Sequence, residues 1–241
     1  MLFIGVDGLS HRVLEREDLP FFRGLMRKGY RKIRIREADA ISAVMWNAIF
    51  AGIPPSQVTF RRYNLGDKVF EYEEIPFRRR FPWEIKRDIP AVAVPVVLPP
   101  YSNVRVDLIE KGLALDKEKC DENMFRIADA ISEFDDGIAV FTEIDRVSHF
   151  HWGEEALLDS YRKLDSILGD LEKKGKGIVV FSDHGFRDMP RGRSILRREK
   201  GIKGDHDPVQ LVVGTDKAEF TTDIYILMME TFKFSPFNTE R

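Results

Sequence analysis

The sequence has very little cysteine: among 241 residues there is a single one, Cys120. One cysteine can form no disulfide within the chain, and it excludes a zinc site built from several thiolates. Any metal ligands must therefore be histidines and carboxylates. The scarcity of cysteine also suits a reducing compartment, and we expect a cytoplasmic protein.

Long apolar runs are missing as well. Residues 1–6 are apolar, but Asp7 interrupts them too early for the core of a secretory signal. No later run approaches the length of a membrane-spanning helix. The sequence therefore predicts a protein without a membrane partner.

A strong excess of positive charge is also absent, since 38 Lys and Arg residues stand against 40 Asp and Glu residues. The formal net charge of -2 argues against binding to a nucleic-acid polymer, which needs concentrated basic side chains. A hydrophobic content of 43% is enough for a substantial core. We expect residues 1–241 to form a single α/β domain without a large cap or insertion domain.

Four short apolar runs predict buried strands. They cover residues 2–6, 137–142, 177–182 and 209–214. Residues 154–174, between two of these runs, show the spacing of a long amphipathic helix, and such a strand-helix-strand order is typical of a parallel sheet. The sequence therefore predicts an α/β fold with a mostly parallel central sheet.

Further elements are predicted around these strands. They are helices over 19–28, 42–52, 83–86 and 120–134, a partly exposed strand over 32–36, and an edge strand or extended segment over 91–98. Pro95 limits the last segment to a sheet edge, because proline cannot donate to the ladder of hydrogen bonds. The tail from Phe232 is expected to be loosely held.

Acidic and histidine side chains follow the predicted strands. Asp7 ends the first strand, and the others near carboxyl ends are Asp145 and His149 after 137–142, and Asp183 and His184 after 177–182. In open α/β sheets this edge is where ligands bind. His206 precedes the last strand in a Gly-rich loop, which can return to the same edge. We expect these side chains to converge.

The converging residue types suit metal ions. Carboxylate oxygen and imidazole nitrogen are ligands of Zn²⁺, Mn²⁺ and Fe²⁺, and two such ions about 3.5 to 4 Å apart commonly serve phosphoryl chemistry. The four-residue step from Asp145 to His149 places both side chains on one face of a helical turn, where they can reach one ion.

Each of these residues also has an ordinary interpretation. Taken alone, Asp7-Gly8 is a turn after a strand, Ser42 is a helix N-cap, and His206 belongs to a surface loop. Asp145 with His149 could be a solvated helix pair, and Asp183-His184 an ordinary loop. Their joint placement at strand ends favours a shared metal site.

Several segments, in a fixed order, resemble those of a known family. They are Phe3-Ile4-Gly5-Val6-Asp7-Gly8, the run from Ser42 to Gly52, Asp145-Arg146-Val147-Ser148-His149, Ser182-Asp183-His184-Gly185-Phe186 and Gly204-Asp205-His206. The chain resembles a compact member of the alkaline phosphatase superfamily, of the type I phosphodiesterase and nucleotide pyrophosphatase branch. The resemblance implies a three-layer α/β/α sandwich of the alkaline phosphatase type.

The resemblance also implies two divalent metal ions, with zinc foremost and manganese or iron as alternatives. One ion is implied on Asp145, His149 and His206, and the other on Asp7, Asp183, His184 and the oxygen of Ser42. Ser42 is the implied nucleophile, which would carry a phosphoryl or nucleotidyl group between two displacement steps.

Asn64 is a further candidate, because relatives often contact the phosphoryl oxygens with an asparagine; Tyr63 is equally close in sequence. The sequence departs from the family pattern at Val44, where many relatives have proline, and at Ala51, which replaces a threonine. Val58-Thr59 also replaces a frequent His-Gly pair. The short interval between His184 and His206 indicates a nearly bare catalytic core.

The leading hypothesis is an enzyme, a hydrolase that acts on a small-molecule phosphodiester or pyrophosphate such as a nucleotide derivative. A phosphomonoesterase is the first alternative. A phosphosugar or phosphoglycerate mutase would use the same phosphoserine, but such relatives carry a second large domain for which this chain leaves little room. A non-catalytic metal-binding protein is a further alternative. A sulfatase is disfavoured, because its Cys or Ser motif followed by Pro and Arg is absent around Ser42.

Overall fold

The four predicted buried strands form the centre of a six-stranded sheet in the computed structural model. The structure describes residues 1–58, 60–62, 70–72, 80–95, 116–190 and 201–233. The strands are β1 (Leu2–Val6), β2 (Tyr30–Arg34), β3 (Phe60–Arg62), β4 (Phe70–Tyr72), β5 (Ala91–Val92), β6 (Gly137–Phe141), β7 (Ile178–Phe181), β8 (Gly185–Asp188), β9 (Gly204–Asp207) and β10 (Val209–Val213).

The helices surround this sheet. They are α1 (His11–Arg16), α2 (Pro20–Met26), α3 (Ser42–Ala51), α4 (Pro82–Ile85), α5 (Lys117–Ser132), α6 (Glu143–His151), α7 (Glu155–Lys173) and α8 (Thr221–Thr231), with short 3-10 helices at Glu37–Asp39 and Pro55–Gln57. Among the described helices, none combines the length and apolarity that crossing a bilayer requires.

The main sheet is mostly parallel. Its strand order is β2-β10-β7-β1-β6-β5, in which β1 pairs in parallel with β6 and β7, and β5 pairs in parallel with β6. Strand β10 runs antiparallel to both of its neighbours, β7 and β2. The short strand β5 lies at one edge of the sheet, as expected from Pro95 in the predicted segment 91–98. The predicted α/β fold is therefore confirmed, with β10 as its exception to parallel pairing.

Helices cover both faces of the sheet because the central strands are buried on both sides. In β1, Leu2, Ile4 and Val6 point into one hydrophobic cluster, to which α2, α5 and α7 contribute. Phe3 points into the other cluster, which α3, α4 and α8 help to form. This is the three-layer α/β/α sandwich that the family resemblance implied.

Several elements differ from the sequence predictions. The strand expected over 32–36 spans Tyr30–Arg34, because its register is set by pairing with β10. Helices α1 and α8 and the hairpin formed by β8 and β9 were not predicted. Phe232 was expected in a loose tail, but it is buried, with its ring centroid 5.4 Å from that of Phe3.

Candidate metal centre

The sheet brings the acidic and histidine side chains to one edge. Strands β1, β6 and β7 are parallel, so their carboxyl ends meet there. Asp7 follows β1 directly, and Asp183 and His184 lie between β7 and β8. Asp145 and His149 are on α6, which begins two residues after β6 ends, and their four-residue spacing directs both toward the same place.

His206 reaches this edge by a route that the sequence did not reveal. It lies in β9, where it pairs with Phe186 of β8, and not in the expected loop. The four residues of β9 are Gly-Asp-His-Asp and lack the apolar alternation that signals a strand. Because β10 is antiparallel to β7, the start of β10 lies at the edge where β7 ends, and His206 therefore returns to the metal-capable side chains.

One group of side chains forms around the Ser42 hydroxyl. Ser42 Oγ lies 3.2 Å from Asp7 Oδ1 and 3.2 Å from His184 Nε2. His184 Nε2 is in turn 3.3 Å from Asp183 Oδ2 and 3.6 Å from Asp7 Oδ1. The structure thus brings together the four residues to which the family resemblance assigned one ion.

A second group lies beside the first. His149 Nε2 is 3.4 Å from Asp145 Oδ2, and His206 Nε2 is 3.4 Å from Asp145 Oδ1 and 3.2 Å from His149 Nε2. The rings of His184 and His206 stack with centroids 3.8 Å apart, so the two groups touch. Nε2 of His184 is close enough to join either group of ligands, and the sequence did not indicate this dual position.

The Ser42 side chain does not cap its helix. Ile41 is the N-cap of α3, Ser42 is the first helical residue, and α3 has no side-chain capping hydrogen bond. The hydroxyl instead faces the carboxylate of Asp7 and the imidazole of His184. The ordinary interpretation of Ser42 as an N-cap is therefore wrong, and its oxygen is available to the site.

Burial and neighbouring charges shift the pKa values of the three aspartates. Burial, followed by the Asp145 carboxylate, raises the pKa of Asp183 to about 7. Burial and the carboxylates of Asp183 and Asp145 raise the pKa of Asp7 well above its ordinary value. Although burial alone would raise it, His149 and His206 hold the pKa of Asp145 well below its ordinary value. Ionisation of Asp7 and Asp183 is therefore disfavoured by burial and by neighbouring negative charge, a cost that a bound cation would offset.

The pKa values of two of the histidines shift in opposite directions. Burial and the proximity of His206 lower the pKa of His184 to about 4, so His184 is neutral near pH 7. Burial alone would lower the pKa of His206, but the adjacent Asp145 carboxylate raises it to about 9. A neutral imidazole offers a lone pair to a cation, whereas a protonated one must first release its proton.

The donor set fits divalent cations. Within the part of the chain that the structure describes, Asp183 Oδ2 accepts no hydrogen bond although it is buried. A buried carboxylate oxygen without a donor is costly unless a cation or water meets it. Two groups could hold ions: Asp7 with Asp183 and His184, and Asp145 with His184 and His206. Carboxylate and imidazole ligands suit zinc, manganese and iron.

Backbone carbonyls orient two of the imidazoles. His184 Nδ1 lies 2.9 Å from the carbonyl oxygen of Gly185, and His206 Nδ1 lies 2.7 Å from that of Ala40. Each contact leaves Nε2 directed at the carboxylates. Partners of this kind fix the tautomer of a metal-binding histidine and the orientation of its ring. They involve main-chain atoms, so no residue type in the sequence could have indicated them.

Phe186 and Gly204 shape the wall behind the histidines. The buried ring of Phe186 has its centroid 5.0 Å from that of His149 and 5.6 Å from that of His206. A Cβ on Gly204 would come within 2.5 Å of this ring and within 2.6 Å of the Ser148 carbonyl oxygen. The glycine before Asp205-His206 therefore permits the close approach of β9 to β8 and α6.

Asn64, the candidate for contacting phosphoryl oxygens, and Tyr63 beside it lie outside the described residues. One unforeseen contact to the site comes from within α3. The indole nitrogen of Trp46 donates a hydrogen bond to Asp7 Oδ2 at 3.0 Å. The sequence showed Trp46 only as a helix residue, and its position four residues after Ser42 is the signal that could have located it.

The fold and the site together define a class. A mostly parallel sheet lies between helical layers in an alkaline phosphatase-like fold, with Asp and His groups at its carboxyl edge beside the Ser42 hydroxyl. The model of the family described as Type I phosphodiesterase / nucleotide pyrophosphatase matches residues 36–203, which is more than half of the chain. The chain belongs to this family of phosphoric ester hydrolases.

Solved structures with low sequence identity share the fold. Murine ectonucleotide pyrophosphatase/phosphodiesterase 5, in an inactive threonine-to-alanine variant in complex with AMP, superposes with a TM-score of 0.63 at 13% identity, covering 100% of this chain and 96% of that chain. The human protein of the same name gives a TM-score of 0.62 at 10% identity, covering 98% of this chain and 95% of that chain.

A bacterial enzyme is a more partial match. Phosphonoacetate hydrolase from Sinorhizobium meliloti 1021, in complex with phosphonoformate, gives a TM-score of 0.52 at 13% identity, covering 79% of this chain and 57% of that chain. No curated protein sequence matches the chain significantly.

Proposed function

We propose that this protein hydrolyses the phosphodiester or pyrophosphate bond of a small nucleotide-derived molecule, through a phosphorylated or nucleotidylated Ser42 and two divalent metal ions. Family membership supports phosphoric ester hydrolysis. The structural neighbour in complex with AMP supports a nucleotide-derived substrate. The observation that carries the proposal is the position of the Ser42 hydroxyl. It does not cap α3, and Oγ lies 3.2 Å from both Asp7 Oδ1 and His184 Nε2.

The two groups at the sheet edge supply the proposed ion sites. Asp7, Asp183, His184 and the oxygen of Ser42 would hold one ion. Asp145 and His206 would hold the other, with His149 completing the set. Zinc is the foremost candidate and manganese or iron the alternatives. Bound ions of this kind neutralise phosphate oxygens and make a hydroxyl or a water molecule acidic enough to act as a nucleophile near pH 7.

Ser42 is proposed to make and break the covalent bond. Its Oγ attacks phosphorus in line with the leaving oxygen, so that an Oγ–P bond forms as the bond to the leaving group breaks. Water then attacks the same phosphorus, the Oγ–P bond breaks, and Ser42 is restored. Before the first step the hydroxyl releases its proton to solvent, and its position at the N-terminal end of α3 favours the resulting negative charge.

The protein also sets the direction in which the reacting groups point. Carbonyl oxygens of Gly185 and Ala40 hold the Nδ1 sides of His184 and His206, which keeps both Nε2 atoms turned toward the carboxylates. The hydroxyl of Ser42 is held between Asp7 and His184 before substrate binds. Such preorganisation reduces the reorganisation needed to reach the transition state.

A panel of chromogenic esters tests the proposal. Purified protein with Zn²⁺ or Mn²⁺ should turn over bis(p-nitrophenyl) phosphate and the p-nitrophenyl ester of thymidine monophosphate, and it should turn over p-nitrophenyl phosphate more slowly. A preference for the last compound would indicate a phosphomonoesterase. Turnover of none of them, by a protein shown to contain metal, would contradict the hydrolase proposal.

Trapping of the intermediate tests the covalent step. Rapid acid quenching during turnover of the thymidine ester should give protein whose mass is increased by the nucleotidyl group, located on the peptide that contains Ser42. The Ser42→Ala variant should show no such increase. An equal adduct on the variant would place the nucleophile elsewhere.

A further inference from the structure

Trp46 contacts the site through its indole nitrogen. Nε1 donates a hydrogen bond to Asp7 Oδ2 across 3.0 Å, and both residues are buried. The other oxygen of the same carboxylate, Oδ1, is turned toward Ser42 Oγ at 3.2 Å and His184 Nε2 at 3.6 Å. The two oxygens of Asp7 therefore have different partners: one faces the hydrophobic core and the other faces the site.

Packing fixes the indole in this position. The Trp46 side chain is fully buried, stacks on Phe50 with ring centroids 5.9 Å apart, and meets the edge of Phe181 at the same separation. A Cβ on Gly5 would lie 2.8 Å from the Trp46 ring, so the absence of a side chain in β1 makes room for the indole. The N–H direction is thus set by surrounding rings and not by the hydrogen bond alone.

Trp46 also shares a helix with the nucleophile. It follows Ser42 by four residues in α3, which places both side chains on one face of the helix. Both contact Asp7, Ser42 through Oδ1 and Trp46 through Oδ2. One rigid element therefore fixes the position of the hydroxyl and the rotation of the carboxylate beside it.

We propose that Trp46 is a positioning residue that locks the Asp7 carboxylate so that only Oδ1 is presented to the ion held with Asp183 and His184. The inference rests on the proposed metal centre. With Oδ2 accepting the indole N–H, Asp7 would hold a cation through Oδ1, and rotation of the carboxylate would break the indole hydrogen bond. Oδ1 is also the oxygen that Ser42 Oγ approaches at 3.2 Å.

A purely structural role for Trp46 is the competing interpretation, because a buried indole needs an acceptor of any kind. The two roles predict different effects of removing the N–H while keeping an aromatic ring. A structural role would lower stability without a selective effect on metal affinity. A positioning role weakens one ion site, since loss of a partner of a metal ligand typically reduces metal affinity by about 10- to 100-fold.

The test compares Trp46→Phe with Trp83→Phe. Trp83 is also buried, and its ring centroid lies 5.3 Å from that of Phe50 in the same aromatic cluster, so its replacement is a matched loss of an indole. Binding of Zn²⁺ is measured by competition with a chromophoric chelator, on metal-free proteins whose thermal unfolding has been recorded. Trp46→Phe should weaken one of two binding events by about 10-fold or more, and Trp83→Phe should leave both unchanged.

The outcomes separate the two levels of proposal. If wild-type protein binds no Zn²⁺, the metal centre itself is wrong. If wild-type protein binds two equivalents and Trp46→Phe binds both with unchanged affinity, the metal centre stands and the positioning role is overturned. If Trp83→Phe loses as much Zn²⁺ affinity as Trp46→Phe, the positioning role is also overturned, because repacking of the aromatic cluster would then explain the effect.

A measurement on the wild-type protein keeps the inference testable if Trp46→Phe fails to fold. The sequence contains three tryptophans, so an ¹H–¹⁵N spectrum of indole-labelled protein contains three side-chain signals, assignable with Trp83→Phe and Trp152→Phe. The Trp46 signal should be protected from exchange with solvent and should shift when Zn²⁺ is added. A Trp46 signal that two equivalents of Zn²⁺ leave in place would refute the proposed contact with a metal ligand.

Discussion

Replacement of Asp183 by asparagine should stabilise the metal-free protein and weaken its stabilisation by metal. Asp183 is fully buried next to other carboxylates, and its pKa is raised from 3.8 to about 7. Asparagine carries no charge, and its oxygen can still accept the hydrogen bond that the Gly8 N–H donates to Asp183 Oδ1 at 3.1 Å. The substitution therefore removes the repulsion and keeps the local structure.

The magnitude follows from the raised pKa. The carboxyl favours the folded state fully below pH 3.8, and this contribution is lost as the pH rises toward about 7. At about 1.4 kcal/mol per pH unit, the loss is about 4 kcal/mol in metal-free protein at pH 8. Because about 1 kcal/mol shifts Tm by roughly 2–4 °C in a chain of this size, Asp183→Asn should raise Tm by roughly 10 °C.

Thermal unfolding in EDTA, followed by circular dichroism at pH 4 and pH 8, measures this effect. In EDTA, the Tm of the variant should be higher than that of wild type at pH 8 and equal to it near pH 4. Added Zn²⁺ should make wild type the more stable protein at pH 8, because the variant has lost a proposed metal ligand. Asp216→Asn, at an exposed position, is the control and should change little. A variant less stable than wild type in EDTA at pH 8, or a difference equal at both pH values, would refute the electrostatic argument.

Three further predictions concern the nucleophile, the metal and the hairpin. Ser42→Ala should lower kcat/KM for a diester by at least about 10³-fold in steady-state assays, whereas Ser42→Thr should remain active. EDTA should abolish turnover and lower Tm, since a ligand at 100 times its Kd stabilises a protein by about 2.7 kcal/mol; activity unaffected by exhaustive chelation would contradict the metal proposal. Gly204→Ala should lower the free energy of unfolding by roughly 1–3 kcal/mol, through contact with Phe186, and should weaken Zn²⁺ binding. Gly24→Ala in α2, where the new Cβ would meet only the flexible end of Arg27 at 3.9 Å, is its control and should be neutral or stabilising in the same denaturant titration.

The buried strands were the most predictable part of the fold. Strands β1, β6, β7 and β10 are continuous apolar runs bounded by polar residues or glycine, and the observed ends lie within about one residue of the predicted ones. Helix α7 was equally clear, because its buried residues recur at helical spacing over five turns. The pairing of β10 was not predictable, since an apolar run carries no information about direction.

The elements that were missed lacked such signals. Helix α1 has only six residues, fewer than two turns, and its capping by Ser10 is visible only in the structure. Helix α8 is apolar on most sides, with Ile224, Tyr225, Met228 and Met229 buried, so its residues show no clear amphipathic period. Phe232 was assigned to a loose tail because the helix that carries it into the core had not been recognised.

The candidate site was predictable in its residue types and not in its supporting contacts. Acids and histidines at strand ends pointed to one edge because parallel strands share that edge. The carbonyl of Ala40 behind His206 and the indole of Trp46 behind Asp7 depend on side-chain rotamers and on how α3 packs against β1. Those contacts arise only when distant segments meet.

Strand β10 enters the sheet from the end at which β7 leaves it, and this direction has a consequence for biosynthesis. On the ribosome, every other proposed ligand has been made by the time His184 emerges, and only His206 is still to come. The proposed ligands around Asp7 are therefore complete once His184 has emerged, whereas the proposed ion at Asp145 and His149 must await His206 in β9.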